Sequence, residues 1–183
     1  MSRHPILKGL SFALLAVSLA APAALGIDPA KTKVTATFRQ MGVPVEGSFG
    51  KVSGQVSFDA AKPADAKAEI TIATASFDIG QDDYNAEVRK PEWFDSAKFP
   101  NASFTSTNLK SLGSNRYQAS GKLALKGKTQ DVSVTLTAKP EATATVFEGS
   151  LPISRKTFAI GDPAWEGTVE DAVTVNFRIV QPK

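Results

Sequence analysis

The stretch Tyr117-Gln118-Ala119-Ser120-Gly121-Lys122-Leu123-Ala124-Leu125, followed after Lys126-Gly127-Lys128 by Val132-Ser133-Val134-Thr135-Leu136, decides the fold. Apolar or small residues at 117, 119, 121, 123 and 125 alternate with polar ones. Successive side chains of a strand point to opposite faces, so this spacing predicts a strand with one buried and one solvated face. The segment at 132, 134 and 136 predicts its neighbour, and the Gly between them supplies a tight turn.

Working outward, the same period of two recurs. Val34, Ala36 and Phe38 mark a strand, as do Val52, Gly54, Val56 and Phe58, then Ala68, Ile70 and Ile72, then Ala102, Phe104 and Ser106. Towards the C-terminus, Phe147, Gly149, Leu151 and Ile153 mark another, and Val173, Val175, Phe177 and Ile179 the last. Short linkers carrying turn residues (Ala60 to Pro63, Gly113 to Asn115, Gly161 to Pro163) suit antiparallel neighbours. The expected fold is all-β: a single antiparallel eight-stranded up-and-down barrel, since closure removes exposed edges more economically than a sandwich does. One stretch breaks the rhythm. Gln81 to Lys98 has acidic residues early and bases late, the distribution that suits a helix dipole, and predicts one short helix between the third and fourth strands.

The chain has 183 residues, 42% of them hydrophobic and 21% charged, within the range of globular domains. It contains no Cys and one His, His4. The N-terminus reads as a secretory signal, with Arg3, His4 and Lys8 before an apolar run from Leu10 to Leu25 that ends in Ala24-Leu25-Gly26. That run is short for a membrane span and has no basic stop-transfer flank, so cleavage is expected and stable membrane insertion is not. The expected organisation is a signal over residues 1–26 and one barrel domain over 27–183, exported, most simply to a bacterial periplasm.

Cleavage removes Arg3 and Lys8, leaving 19 basic against 18 acidic residues. Such a nearly neutral surface gives no electrostatic footprint for nucleic acid. It also removes the one imidazole, which excludes Ser-His-Asp and Cys-His catalysis, zinc sites built on Cys or His, and haem or iron–sulfur ligation. The acidic group Asp78, Asp82, Asp83 and Glu87 lacks the spacing of a calcium loop and suits a helix start. Asp95, Glu148, Glu166 and Glu170 are not spaced as a glycosidase pair, and Ser154 with Lys156 merely share a strand face. No catalytic residue, metal or cofactor is expected.

An eight-stranded barrel can be filled by its own side chains or can hold one small ligand. The inward parity places Phe38, Val56, Phe58, Ile70, Ile72, Phe104, Leu123 and Phe177 as candidate walls of a tunnel. On the same parity Gly54, Ala102, Ala119 and Gly121 are expected to leave volume. A solid core in which small residues oppose large ones is the alternative, and it would describe a structural or stress-related interaction module. Trp93 and Phe94 either gate a mouth or cap a core. Arg39 and Arg89 either meet an anionic head group or sit solvated in surface ion pairs.

Several stretches then occur in a recognisable order. Phe38-Arg39-Gln40-Met41-Gly42-Val43-Pro44-Val45-Glu46-Gly47 precedes Phe49. Ala86-Glu87-Val88-Arg89 leads to Trp93-Phe94-Asp95, and Lys98-Phe99-Pro100 precedes Phe104. Gly121 to Gly127 is followed by Thr129 and Val132, and Phe158-Ala159-Ile160-Gly161 by Trp165. In this order the chain resembles the YceI-like family of exported, lipid-binding, lipocalin-like barrels, from Asp28 to Ile179. Gln40 stands where many relatives carry His. The resemblance implies an elongated barrel whose tunnel takes up a long-chain isoprenoid or fatty amphiphile. The protein is expected to be a monomer or a homodimer.

Overall fold

A computed structural model describes residues 24–161 and 163–183. The expected signal over residues 1–26 lies almost wholly outside the described residues. Eleven strands form one antiparallel sheet: β1 (Leu25–Gly26), β2 (Lys33–Gln40), β3 (Val43–Phe49), β4 (Val52–Ser57), β5 (Lys67–Ala73), β6 (Phe77–Asp78), β7 (Asn101–Gly113), β8 (Arg116–Leu125), β9 (Lys128–Pro140), β10 (Ala144–Ser154) and β11 (Ala172–Pro182). A six-residue helix, α1 (Asp82–Glu87), follows β6. The count of eight is thereby corrected to eleven. The additional strands are β1 and β6, each only two residues long, and β3, whose Pro44 and Gly47 disguise its alternation.

The order across the sheet is β1-β4-β5-β7-β8-β9-β10-β11-β2-β3-β6. Near its opposite ends lie β3 and β4, which are consecutive in the chain and joined by only Gly50 and Lys51. Two residues cannot cross an extended sheet of this width, so the sheet curls on itself into a half-barrel. Backbone bonds stitch the approach. The Gly50 N–H donates to Ser76 O at 3.1 Å, and beyond β1 the Ile27 N–H reaches Gly54 O at 3.1 Å while the Asp28 N–H reaches Val180 O at 2.7 Å.

Local chemistry explains the hairpins. Met41-Gly42, Ser114-Asn115 and Lys126-Gly127 each have both residues at positive φ, the turn whose twist matches its flanking strands. In the register Ala119 faces Val134 and Gly121 faces Val132 across β8–β9, while Phe147 faces Ile179 across β10–β11. The concave side therefore collects Val34, Val56, Ile70, Ala119, Leu136 and Phe147 in one buried cluster. A second cluster, Ala102, Leu125, Phe158 and Ile160 with Trp93 and Phe94 against it, floors one end of the half-barrel.

Candidate functional site

Inside the curl, the central cluster does not fill its space. A cavity of about 160 Å³ remains, and its walls are carbon nearly throughout. It is the same size as engineered apolar cavities of about 150 Å³ that stay dry and admit small apolar molecules. An interior of this composition offers water no partners.

Seven expected wall residues meet in it: Val56, Phe58, Ile70, Ile72, Phe104, Leu123 and Phe177. They come from β4, β5, β7, β8 and β11, or from the residue that follows β4. Others on the same parity complete the walls, among them Leu109, Val134, Leu136, Phe147, Leu151 and Ile179. Leu109 was beyond reach of the pattern because the β7–β8 register shifts after Ser106. The remaining expected residues lie elsewhere. Phe38 is half-buried at the outer end of the β2–β3 hairpin and lines no part of the cavity. Arg39 is exposed, and its Nη1 donates to Gly42 O at 2.8 Å, clasping that hairpin.

Arg89 is also exposed and acts on Asp78 through space. Asp78 accepts from the Gly80 N–H and from Asn85 Nδ2, both at 2.7 Å, and these bonds hold its carboxyl below the usual range. Trp93 stands edge-on to Trp165, with ring centroids 6.2 Å apart. Phe94 packs against Phe77 and Phe49 at 5.6 and 6.1 Å. Both aromatic residues thus belong to the floor and not to the cavity wall.

The cavity owes its width to glycines, though indirectly. The space a Cβ at Gly121 would occupy is taken by the Phe104 ring, whose Cε2 lies 2.5 Å from that position; Phe177 Cζ stands likewise 2.5 Å from the position at Gly149. Each ring lies back against glycine backbone instead of standing into the lumen. The expectation that Gly121 leaves a hollow is thus corrected: the hollow is occupied, and the volume appears on the other side of the ring. Ala119 does line the cavity, but Ala102 belongs to the floor. At the end away from the floor, Phe58 makes edge-to-face contacts with Tyr117 and Phe147, centroids 5.4 and 5.2 Å apart.

Polar groups near the floor are engaged structurally. Arg155, 5% exposed, donates through Nε to Glu170 O (3.0 Å), through Nη1 to Ile160 O (2.8 Å) and through Nη2 to Val169 O (2.7 Å). Ser154 Oγ donates to Asp171 Oδ1 at 2.9 Å, and Lys156 pairs with Glu166. Glu148 pairs with Lys139 and Arg178. None of these groups reaches the cavity.

A single antiparallel sheet curled round an apolar space, with no cluster of polar side chains among the described residues that line it, defines a hollow all-β half-barrel. More particularly, the chain belongs to the YceI-like domain family, whose model matches residues 26–181. A UPF0312 protein of Shewanella baltica is 33% identical over 142 residues, 73% of this chain and 74% of the relative. The crystal structure of Burkholderia cenocepacia BcnA superposes with a TM-score of 0.82 at 42% identity, covering 84% of this chain and 98% of that one. A structure described as a polyisoprenoid binding domain from Saccharophagus degradans shares the fold, with a TM-score of 0.70 at 18% identity over 87% of this chain and 99% of that one.

Proposed function

We propose that this protein takes the apolar chain of an amphiphile into the cavity and carries or stores it without changing its covalent structure. The observation that carries the reading is the unfilled 160 Å³ space with walls of carbon, where a packed core would otherwise stand. A polyisoprenoid is the ligand class the reading favours, supported by the description of the Saccharophagus relative as a polyisoprenoid binding domain. A chain of many isoprene units exceeds the cavity as it stands. Its entry requires rings such as Phe58 to swing aside, a motion that side chains make readily when the space behind them is not packed solid.

Transport, storage and sequestration of such a chain need no acid, base or nucleophile. That suits an interior to which none of the described carboxylates contributes. The basic, apolar and small-residue segments of residues 1–26 favour export and action in the periplasm. Native mass spectrometry of protein from its own host tests the reading. A retained lipid mass is expected, and a bare polypeptide mass under gentle conditions would overturn it. Intact mass of the periplasmic fraction is expected to begin at Ile27.

A further inference from the structure

Two buried side-chain polar atoms among the described residues have no hydrogen-bond partner, Trp93 Nε1 and Gln181 Oε1. They differ in place. Trp93 is half-buried in the floor against Trp165, whereas Gln181 is 7% exposed and lies on β11, the strand that supplies Val175, Phe177 and Ile179 to the cavity. Alternate residues of a strand share a face, so Gln181 continues that inward row one layer beyond Ile179, about 7 Å further along the strand.

The backbone fixes this parity. The β10–β11 register runs unbroken through Phe147 opposite Ile179, Thr145 opposite Gln181 and Ala144 opposite Pro182. On the other edge of β11 the Val180 N–H donates to Thr32 Oγ1 at 3.1 Å, and Val180 O accepts from the Asp28 N–H at 2.7 Å. Held on both sides, the strand cannot turn Gln181 outward without breaking these bonds. Nor does Thr145, directly across, satisfy the amide oxygen. A buried acceptor left without a donor costs the folded chain the hydrogen bond that water would have given it.

The orphaned oxygen lies at the end of the cavity away from the floor, the end that Phe58, Tyr117 and Phe147 crowd. The opposite end is shut by Ala102, Leu125, Phe158 and Ile160. A chain in the cavity therefore has its tail towards the floor and its polar end towards Gln181.

We infer that Gln181 binds the head group of the ligand, and that this head group is an uncharged hydrogen-bond donor, a hydroxyl or an amide N–H. This rests on the reading that the cavity takes an apolar chain. A carboxylate or phosphate brings negative charge against the carbonyl oxygen and loses its hydration beside walls of carbon. An ether or ester only accepts, and leaves Oε1 as it was. A hydroxyl supplies the missing donor and can accept from water as well. One neutral hydrogen bond gained in this way corresponds to roughly threefold to tenfold in Kd.

The test uses the mature protein, with farnesol and farnesyl methyl ether titrated separately and each Kd measured by calorimetry. The wild type is expected to bind farnesol about threefold to tenfold more tightly than the ether. Gln181→Met, which keeps the length of the side chain and removes its amide, should abolish the preference with the Kd of the ether unchanged. It should also melt no lower than wild type without ligand, because the group it removes has no partner to lose. Gln118→Met, on the exposed face of β8, should leave the preference intact. A preference for farnesol that survives in Gln181→Met, or a wild type that binds both equally or favours the ether, overturns the role of Gln181 while the cavity reading stands. A ligand-free Gln181→Met that melts many degrees lower shows the amide to be a structural group and overturns it too. If neither isoprenoid binds the wild type, the cavity reading itself falls.

Discussion

The Phe104 ring lies where a side chain at Gly121 would have to stand, with Cε2 2.5 Å from the Cβ position. The pair is a diagonal across β7 and β8, since Ser106 faces Gly121 and Phe104 faces Leu123. Strand glycines covered by an aromatic ring are a recurrent device for building curved sheets. Here the same device decides how much room the lumen has.

Gly121→Ala should therefore act on the cavity and on the sheet together, because its Cβ position lies 2.5 Å from the Thr105 carbonyl oxygen as well as from the Phe104 ring. The added methyl group pushes the ring inward and strains the β7–β8 pairing, at a cost of about 3 kcal/mol or more. The expected result is weakened binding of a fluorescent long-chain amphiphile together with a clear fall in melting temperature. Unchanged binding would show that the ring is fixed and the space beyond it unused.

Ala119 and Ala102 share a parity but not a destination, and Trp substitution separates them. Ala119 faces the cavity, so Ala119→Trp should fill it, abolish probe binding and leave most of the melting temperature. Ala102 is packed in the floor with Leu125, Phe158 and Ile160, so Ala102→Trp should overpack, at about 1–3 kcal/mol or more. Thermal melts and probe titrations of the two variants, run side by side, check the contrast.

Arg155 holds three backbone carbonyl oxygens at the floor while 5% exposed. Arg155→Met strands those carbonyls, and the expected loss is about 3 kcal/mol by chemical denaturation. Gly161 sits at φ 111°, and a Cβ there would overlap Arg155 Nη1. Gly161→Ala should accordingly reproduce part of that loss, and the two substitutions should not be additive.

Asp171 gives the floor an acid-sensitive element. The Lys156 N–H, the Ser154 hydroxyl and the positive charges of Lys156 and Arg155 hold its carboxyl below the ordinary 3.8, against the opposing effect of burial. A carboxylate more acidic in the folded than in the unfolded chain contributes stability above pH about 4, and loses it as pH falls through the folded-state value. Asp171→Asn should thus be less stable than wild type at pH 7, and the gap should narrow as the pH falls below the ordinary carboxylate value. A gap independent of pH would remove ionisation from the explanation.

How far the sequence announces this molecule depends on how long each pattern runs. β8 alternates over its ten residues and β9 from Val132 to Ala138, and a slip of one would turn every apolar side chain outward, so their parity is legible directly. That parity also leads to Val56, Ile70, Phe104 and Phe177. It misleads at Phe38, which keeps the phase of Val34 and Ala36 but lies beyond the part of β2 that the cavity reaches. Two-residue strands carry no period to detect, and β3 hides its own behind Pro44 and Gly47.

At one end of the sheet β1 pairs with residues 55–56 of β4 but falls within the residues that cleavage would remove; at the other, β6 covers residues 48–49 of β3, and the bare edge that remains there is residues 43–47. Such an edge is a template on which another chain can add strands and start an aggregate. This one carries Pro44, which has no amide hydrogen to offer, and the exposed carboxylate of Glu46. A hollow, cysteine-free protein opens more readily than a stapled one, and its resistance to fibril growth at high concentration is then set less by its core than by those two residues.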